Sequence, residues 1–310
     1  MQIVAKKNSF FHVVWDKKIL LLMLSPAVIY TILFSYLPMA GLVLAFKNFR
    51  YADGIFGSPW VGLTNFKFLL LSGKLGPITR NTLLYNLAFI VIGMLFQIGF
   101  AILLSEVSGK YFKKFSQSAM FLPFFISWVV VAAIAYNVLN FEKGVLNNLL
   151  VTMGVERLNI YNNAQPWPYI LIFLKTWKGL GYGTVVYLAV ITGIDQEMYE
   201  AADIDGANVW HKISKITLPS LVPTIMIMLL MALGQIFRGD FGLFYQLVKT
   251  NQILLPATDI IDTYVFRALM SSSDIGMASA AGLYQSVVCF FTIVIFNRIV
   301  QKVQPDYALY

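Results

Sequence analysis

Apolar residues gather in six runs of roughly membrane-crossing length, at 19–46, 82–104, 116–139, 167–194, 221–237 and 280–299. A helix needs about 20 mostly apolar residues to cross the hydrocarbon core of a bilayer. The fifth run is short, and the fourth carries Lys175 and Lys178. Between the runs the chain is punctuated by Gly, Pro, Asn and charge, as loops are. The pattern predicts an all-α polytopic membrane protein with six transmembrane helices. It divides the chain into an N-terminal segment 1–18, a single transmembrane domain 19–299 and a C-terminal tail 300–310, with no soluble stretch long enough to fold alone. Phe10, Phe11, Val13, Val14 and Trp15, flanked by lysines, read equally as an interfacial helix or as an ordinary basic flank with belt aromatics.

Composition agrees. The 310 residues are 58% hydrophobic and 12% charged, where a soluble domain is about 45–50% apolar and about 25% charged. The formal net charge of +8 does not indicate nucleic acid, because the basic residues sit in loops beside apolar runs, where anionic headgroups and the positive-inside rule account for them. With the N-terminus inside, inward segments hold eleven of the 23 basic residues in about 66 residues, and outward loops hold ten in about 102. The short loop 106–115, with Lys110, Lys113 and Lys114, is the clearest inward segment. Six spans then return the C-terminus to the cytoplasm, so the expected location is the bacterial inner membrane. No small-residue cleavage pattern follows the first run, which is expected to be an uncleaved span. The single cysteine, Cys289, allows no intramolecular disulfide, and His12 and His211 lie far apart with no Cys/His cluster, so no metal site is expected.

Catalytic signatures are missing. The glycines at 54, 57 and 62 lack the lysine of a phosphate loop, and no Ser/His/Asp set or carboxylate pair converges on a pocket. One polar stretch between the fourth and fifth runs, 195–218, is informative instead. Asp195, Glu197 and Glu200 suit a helix N-terminus. Ala201 and Ala202 favour helix and leave a surface that another protein can approach closely. Gly206 permits a turn. Val209, Trp210, Ile213 and Ile216 then recur at helical spacing, and Pro219 suits the first turn of the next span. Two short helices in an L at the cytoplasmic face are expected.

Here the sequence resembles a known family. Glu-Ala-Ala, three residues, Gly, nine residues and Ile-x-Leu-Pro form the EAA loop of binding-protein-dependent ABC importer permeases, matched at Glu200, Ala201, Ala202, Gly206, Ile216, Leu218 and Pro219. The resemblance implies a type I importer permease whose loop, with Asp203, docks into a cleft on a separate ATPase. No cofactor is then expected on this chain, ATP and Mg lying on the partner. Ser25-Pro26, 45–49 (AFKNF), 60–66 (WVGLTNF) and Asn81-Thr82-Leu83 look like sugar-importer permeases, and 121–128 and 177–182 look like the LplB-like branch for complex oligosaccharides. That branch implies an oligosaccharide cargo, a second and different homologous permease, an ATPase dimer and an extracytoplasmic solute-binding protein. Amino acids, peptides or ions are alternative cargoes. A secondary transporter and a membrane enzyme are rival classes, and neither explains the loop.

Charged residues inside spans suggest function. Trp177, Lys178, Gly179, Tyr182, Gln235, Arg238 and Asp240 are the candidates for the translocation path, since in the family the spans flanking the loop line the cavity. Structural roles compete: Lys178 as a partner of Asp240 or of an acid on another subunit, Trp177 and Tyr182 as helix packing. If Lys178 and Arg238 both face the cavity, the cargo is expected to be an acidic glycan.

Overall fold

The computed structural model describes residues 17–270 and 274–303. The N-terminal aromatic segment and the end of the C-terminal tail lie outside the described residues. Among those described there is no strand, only an isolated bridge between Lys47 and Trp60. The principal helices are α1 (Lys18–Phe46), α2 (Thr64–Leu71), α3 (Leu75–Glu106), α4 (Lys110–Phe125), α5 (Trp128–Leu139), α6 (Val145–Thr152), α7 (Trp167–Thr192), α8 (Gln196–Ile204), α9 (Val209–Leu233), α10 (Phe241–Val248), α11 (Ile261–Met270) and α12 (Ile275–Val303).

Four of these, α1, α3, α9 and α12, are long and apolar enough to cross a membrane. The expected third span is not one helix. It is α4 and α5, bent by 98° where they meet. Ile126 and Ser127 adopt extended backbone, and the Ser127 hydroxyl accepts the Val130 N–H as the N-cap of α5. Pro123 has already removed one ladder donor just before the break. The fourth run forms the 26-residue α7, long enough to span at 1.5 Å per residue, but its two lysines keep it from the apolarity of the other four. The fifth begins well before the expected 221: α9 runs unbroken from Val209, with a wide π-type turn at Ile213–Thr217 just ahead of Pro219. Such a turn relaxes the ladder where a proline ring would press on it. The expected second short leg and the fifth span are therefore one rod.

α7 is the central helix, packing along α3 and against α4 and α9. Its glycines permit this. A Cβ on Gly181 would lie 2.2 Å from the Met120 carbonyl oxygen, and one on Gly183 would lie 2.1 Å from Gln97 Cδ. Small residues at helix contacts are how membrane bundles gain packing when hydrocarbon supplies no hydrophobic drive. By contrast the first part of α1, Lys18–Thr31, has no buried residue, and only its end at 37–46 packs, against α12, with Ala45 fully buried.

The sequence marks after the first run and at the start of the second turn out to be staples. Lys47 donates to the carbonyls of Ile55 and Phe56, Asn65 donates to those of Ala45 and Lys47, and Phe46 meets Phe66 at 5.5 Å. Asn81 donates to the carbonyls of Pro256 and Asp259, while the Thr82 hydroxyl accepts the Ile261 N–H. These bonds fix the segment after α10 onto the start of α3.

Candidate functional site: a charged cavity and an exposed helical elbow

A cavity of about 540 Å³ opens between α3, α7, the end of α9 and the start of α10, lined among others by Asn86, Gln97, Lys175, Gln235, Arg238 and Asp240. Its charges are organised by an interruption in the backbone. α9 stops at Leu233, and the chain turns through 234–240 before α10. Free backbone groups there need partners in a membrane, and polar side chains from three helices provide them. Asn86 donates to the Ile236 and Arg238 carbonyls, Gln285 donates to the Phe237 carbonyl, and the Gly239 N–H donates to Asp262. Gly239 is tightly packed: a Cβ would sit 2.2 Å from Ile260 Cδ1 and 2.9 Å from the Asp262 carboxylate, so both side chains would have to shift. Burial pushes the Asp262 carboxyl up, and the bonds from Gly239 and Gln285 oppose the shift.

Asp240 is fully engaged. One oxygen receives Lys175 at 2.6 Å and the Trp128 indole at 3.2 Å, and the other caps α10 through the Leu243 N–H at 3.1 Å. Lys175 is therefore neutralised within the cavity wall. Arg238 is exposed to the cavity, and its guanidinium has no ion pair or hydrogen bond among the described residues. Lys175, Asp240 and Arg238 together leave one net positive charge, carried by Arg238, with Asp262 behind Gly239 the further carboxylate whose field it feels.

The structure places four of the path candidates outside the lining of this cavity. Lys178 does not pair with Asp240 and does not line the cavity. One turn beyond Lys175, its ammonium donates to the carbonyls of Pro123 and Phe124, at 3.2 and 2.7 Å, capping the broken end of α4. Trp177 lies in an apolar groove with Val131, Ile134 and Phe173. Tyr182 stacks on Phe124, with centroids 5.1 Å apart and planes 14° apart. Gly179 offers its carbonyl to Gln97 Nε2 at 3.2 Å. Gln235, Arg238 and Asp240 do meet at the cavity, joined by Lys175, Asn86 and Gln97, which were not among the candidates. Lys175 had a signal in the sequence, a cation inside a span; the two amides had none.

The second constellation is the elbow formed by α8 and the first turns of α9. Asp195 caps α8 by accepting the Glu197 N–H. α8 closes in a Schellman turn: the Ala207 N–H donates to the Ala202 carbonyl and the Gly206 N–H to the Asp203 carbonyl, with Gly206 at φ +74°. Asn208 then caps α9 through the His211 N–H. Two contacts brace the elbow, an Asp203–Lys212 ion pair at 2.6 Å and Tyr199 to Thr217 at 2.9 Å. Ile216 is buried behind it, while Leu218 and Pro219 stay exposed at the start of the spanning part. Glu200 and Ala201 face outward and Ala202 is half-buried in a shallow cleft. Ile204 is 88% exposed and Trp210 77%, too much apolar surface for a finished exterior at this end of the molecule.

The model of the family described as binding-protein-dependent transport system inner membrane component matches residues 97–305. The chain belongs to that family. The permease is 34% identical to the polygalacturonan/rhamnogalacturonan transport system permease YteP of Bacillus subtilis, over 93% of this chain and 89% of YteP. It is 32% identical to LplB of the same organism, over 93% and 90%. Among solved structures it resembles a chain of a bacterial ABC transporter involved in import of the acidic polysaccharide alginate, with a TM-score of 0.87 and 31% identity over 96% of this chain and all of that one. A second such structure, a bacterial alginate ABC transporter with its alginate pentasaccharide-bound periplasmic protein, gives 0.86 at 30% identity over 96% and 98%.

Membership makes the permease a multi-pass transport subunit of an ABC importer, with ATP hydrolysis on a separate ATPase subunit. The secondary-transporter and membrane-enzyme readings fall with it. Among the described residues no three His, Cys, Asp or Glu side chains gather where they could hold a metal.

Proposed function

We propose that this chain passes acidic oligosaccharides, delivered by an extracytoplasmic binding protein, through the inner membrane into the cytoplasm. It works beside a second, different permease and above an ATPase dimer that holds ATP and Mg. Both termini lie in the cytoplasm, and the elbow docks on the ATPase through Glu200, Ala201, Ala202, Asp203 and Gly206, with Ile216, Leu218 and Pro219 joining it to the span. The braced elbow and its exposed apolar residues support that docking.

One observation carries the acidic reading: Arg238 is an unpaired guanidinium on the cavity wall, where the other cation is already neutralised. Guanidinium binds a carboxylate through two parallel hydrogen bonds, and a cation near a membrane interior with no direct ion pair, only the longer-range pull of Asp262, is costly unless it serves a ligand. The names of two relatives, for polygalacturonan and alginate, agree with it. The test is uptake by the reconstituted importer of trigalacturonate against neutral arabinotriose, with Arg238→Gln. The variant should raise KM for the acidic sugar about tenfold or more and leave a neutral sugar, if it is carried, unaffected. Equal handling of both sugars by the native importer would overturn the acidic reading, and uptake of an amino acid, peptide or ion instead would overturn the carbohydrate reading.

A further inference from the structure

α5 and α10 run side by side away from the cavity. A Cβ on Gly242 would come within 2.6 Å of the Trp128 ring, and Trp128 itself holds Asp240. The two flanks of α5 differ in chemistry. Toward α7 lies the groove of Val131, Ile134, Val138, Phe173 and Trp177, suited to lipid tails. Toward α10 lies a cleft of about 630 Å³ lined by Tyr136, Asn137, Tyr161, Gln246, Lys249 and Asn251. Its floor is apolar, with Val129, Ala132, Ala133 and Leu247, and the amides of Asn137 and Asn251 are spent on the Ala133 and Tyr161 carbonyls. The lysine and the free Gln246 amide at the rim do not face hydrocarbon without cost, so the rim meets water or a polar ligand.

The cleft is built to present groups. Tyr136 and Tyr161 meet edge to face at 5.6 Å, and Tyr136 keeps 53% of its surface open. Burial, and secondarily Tyr136, push the Tyr161 hydroxyl up to about 12, so it stays a neutral donor. The side chains of Gln246 and Lys249 have no partner among the described residues. Lys249 sits at φ +53°, the one non-glycine residue at positive φ among the described residues. Such strain persists where neighbours enforce it and collects at ligand sites. Here it turns the chain so that Asn251 can donate to the Tyr161 carbonyl at 2.8 Å, closing the rim. Open aromatic faces with amides and hydroxyls at their edges are what a pyranose ring needs, apolar C–H faces and a girdle of hydroxyls. Lys249 adds one cation for a uronate.

We infer that this cleft is an outer sugar subsite, holding the trailing units of an oligosaccharide whose leading unit occupies the Arg238 cavity. Along α10 the cavity is lined as far as Phe241 and the cleft from Gln246 onward, about 8 Å of helix between the rims, so a chain must extend beyond the unit in the cavity to reach the cleft. The inference rests on the oligosaccharide reading above and adds a length preference to it.

The experiment is uptake by the complete reconstituted importer of digalacturonate and tetragalacturonate, comparing the native protein with Gln246→Ala, Tyr136→Ala and Lys249→Gly. The expected result is a KM about tenfold higher for tetragalacturonate, with digalacturonate within about twofold of native. Lys249→Gly relieves the backbone, so its loss of long-chain affinity should come with no fall in the melting temperature of the complex. Arg238→Gln, in contrast, should affect both lengths. If the importer carries only neutral sugars, the acidic reading fails, and the same split measured with arabinobiose and arabinotetraose still decides the subsite. Parallel changes for both lengths, no change for either, or dissociation of the two permeases by these substitutions would each overturn it.

Discussion

The Lys175–Asp240 pair offers a test in which stability and affinity part company. Replace Lys175 with Met, Asp240 with Asn, and then both. The pair closes at 2.6 Å, with the two side chains 37% and 21% exposed. Exposed pairs contribute about 0–1 kcal/mol, and breaking a fully buried one costs about 3–5 kcal/mol; this half-wet pair should fall between, at roughly 1–2 kcal/mol. Asp240→Asn keeps an α10 cap, since Asn caps about as well as Asp, so its loss is confined to the pair and the Trp128 bond. Each single variant should lower the melting temperature of the purified complex by a few degrees, and the double variant by about as much as one single. Affinity should move in opposite directions. Lys175→Met leaves Arg238 facing an uncompensated carboxylate and takes the net charge of the three residues to zero. Asp240→Asn takes it to two positive charges. The KM for trigalacturonate should therefore rise several-fold in the first and stay level or fall in the second. Additive melting shifts would refute the coupling, and a KM rise of equal size in both would refute the electrostatic account of the cavity.

Gly206→Ala forces a Cβ into left-handed backbone at about 1–2 kcal/mol, whereas Asn tolerates it better. The Ala variant should assemble yet show ATPase activity that no longer responds to loaded binding protein, and Gly206→Asn should recover part of the response. Gly181→Ala drives a methyl onto the Met120 backbone, which cannot swing aside, so the permease should fall below half its native level in membranes by immunoblot, while Gly41→Ala, with open space around it, should not.

Much of this was legible in the sequence because membranes impose a coarse rule. Runs of apolar residues located the spans, and Glu200-Ala201-Ala202 with Gly206 located the elbow before any coordinate. The 98° bend between α4 and α5 was not legible from hydropathy, which averages over a turn of two residues; Pro123 and Ser127 were its local signals. The choice between Lys175 and Lys178 turns on rotation by one helical turn against helices far away in sequence, so it needed tertiary placement. Arg238 and Asp240 were legible as charges in an apolar context, but their different states, one free and one saturated, depend on Trp128 and Lys175 arriving from elsewhere. Sequence marks such as Lys47, Asn65 and Asn81 pointed to relatives, and the structure gives them a different meaning, as ties between connecting segments.

The unbroken course of α9 has a mechanical consequence. Its 25 residues make a lever about 37 Å long, with Trp210 at one tip and the turn bearing Arg238 just past the other. A tilt of about 5° at the exposed tip sweeps the far one sideways by about 3 Å, which is the difference between a guanidinium in contact with a carboxylate and one that has let go. Two points along the rod are compliant, the wide turn at Ile213–Thr217 and the lost ladder bond at Pro223, so their stiffness sets how much of a tilt at the exposed tip would reach Arg238.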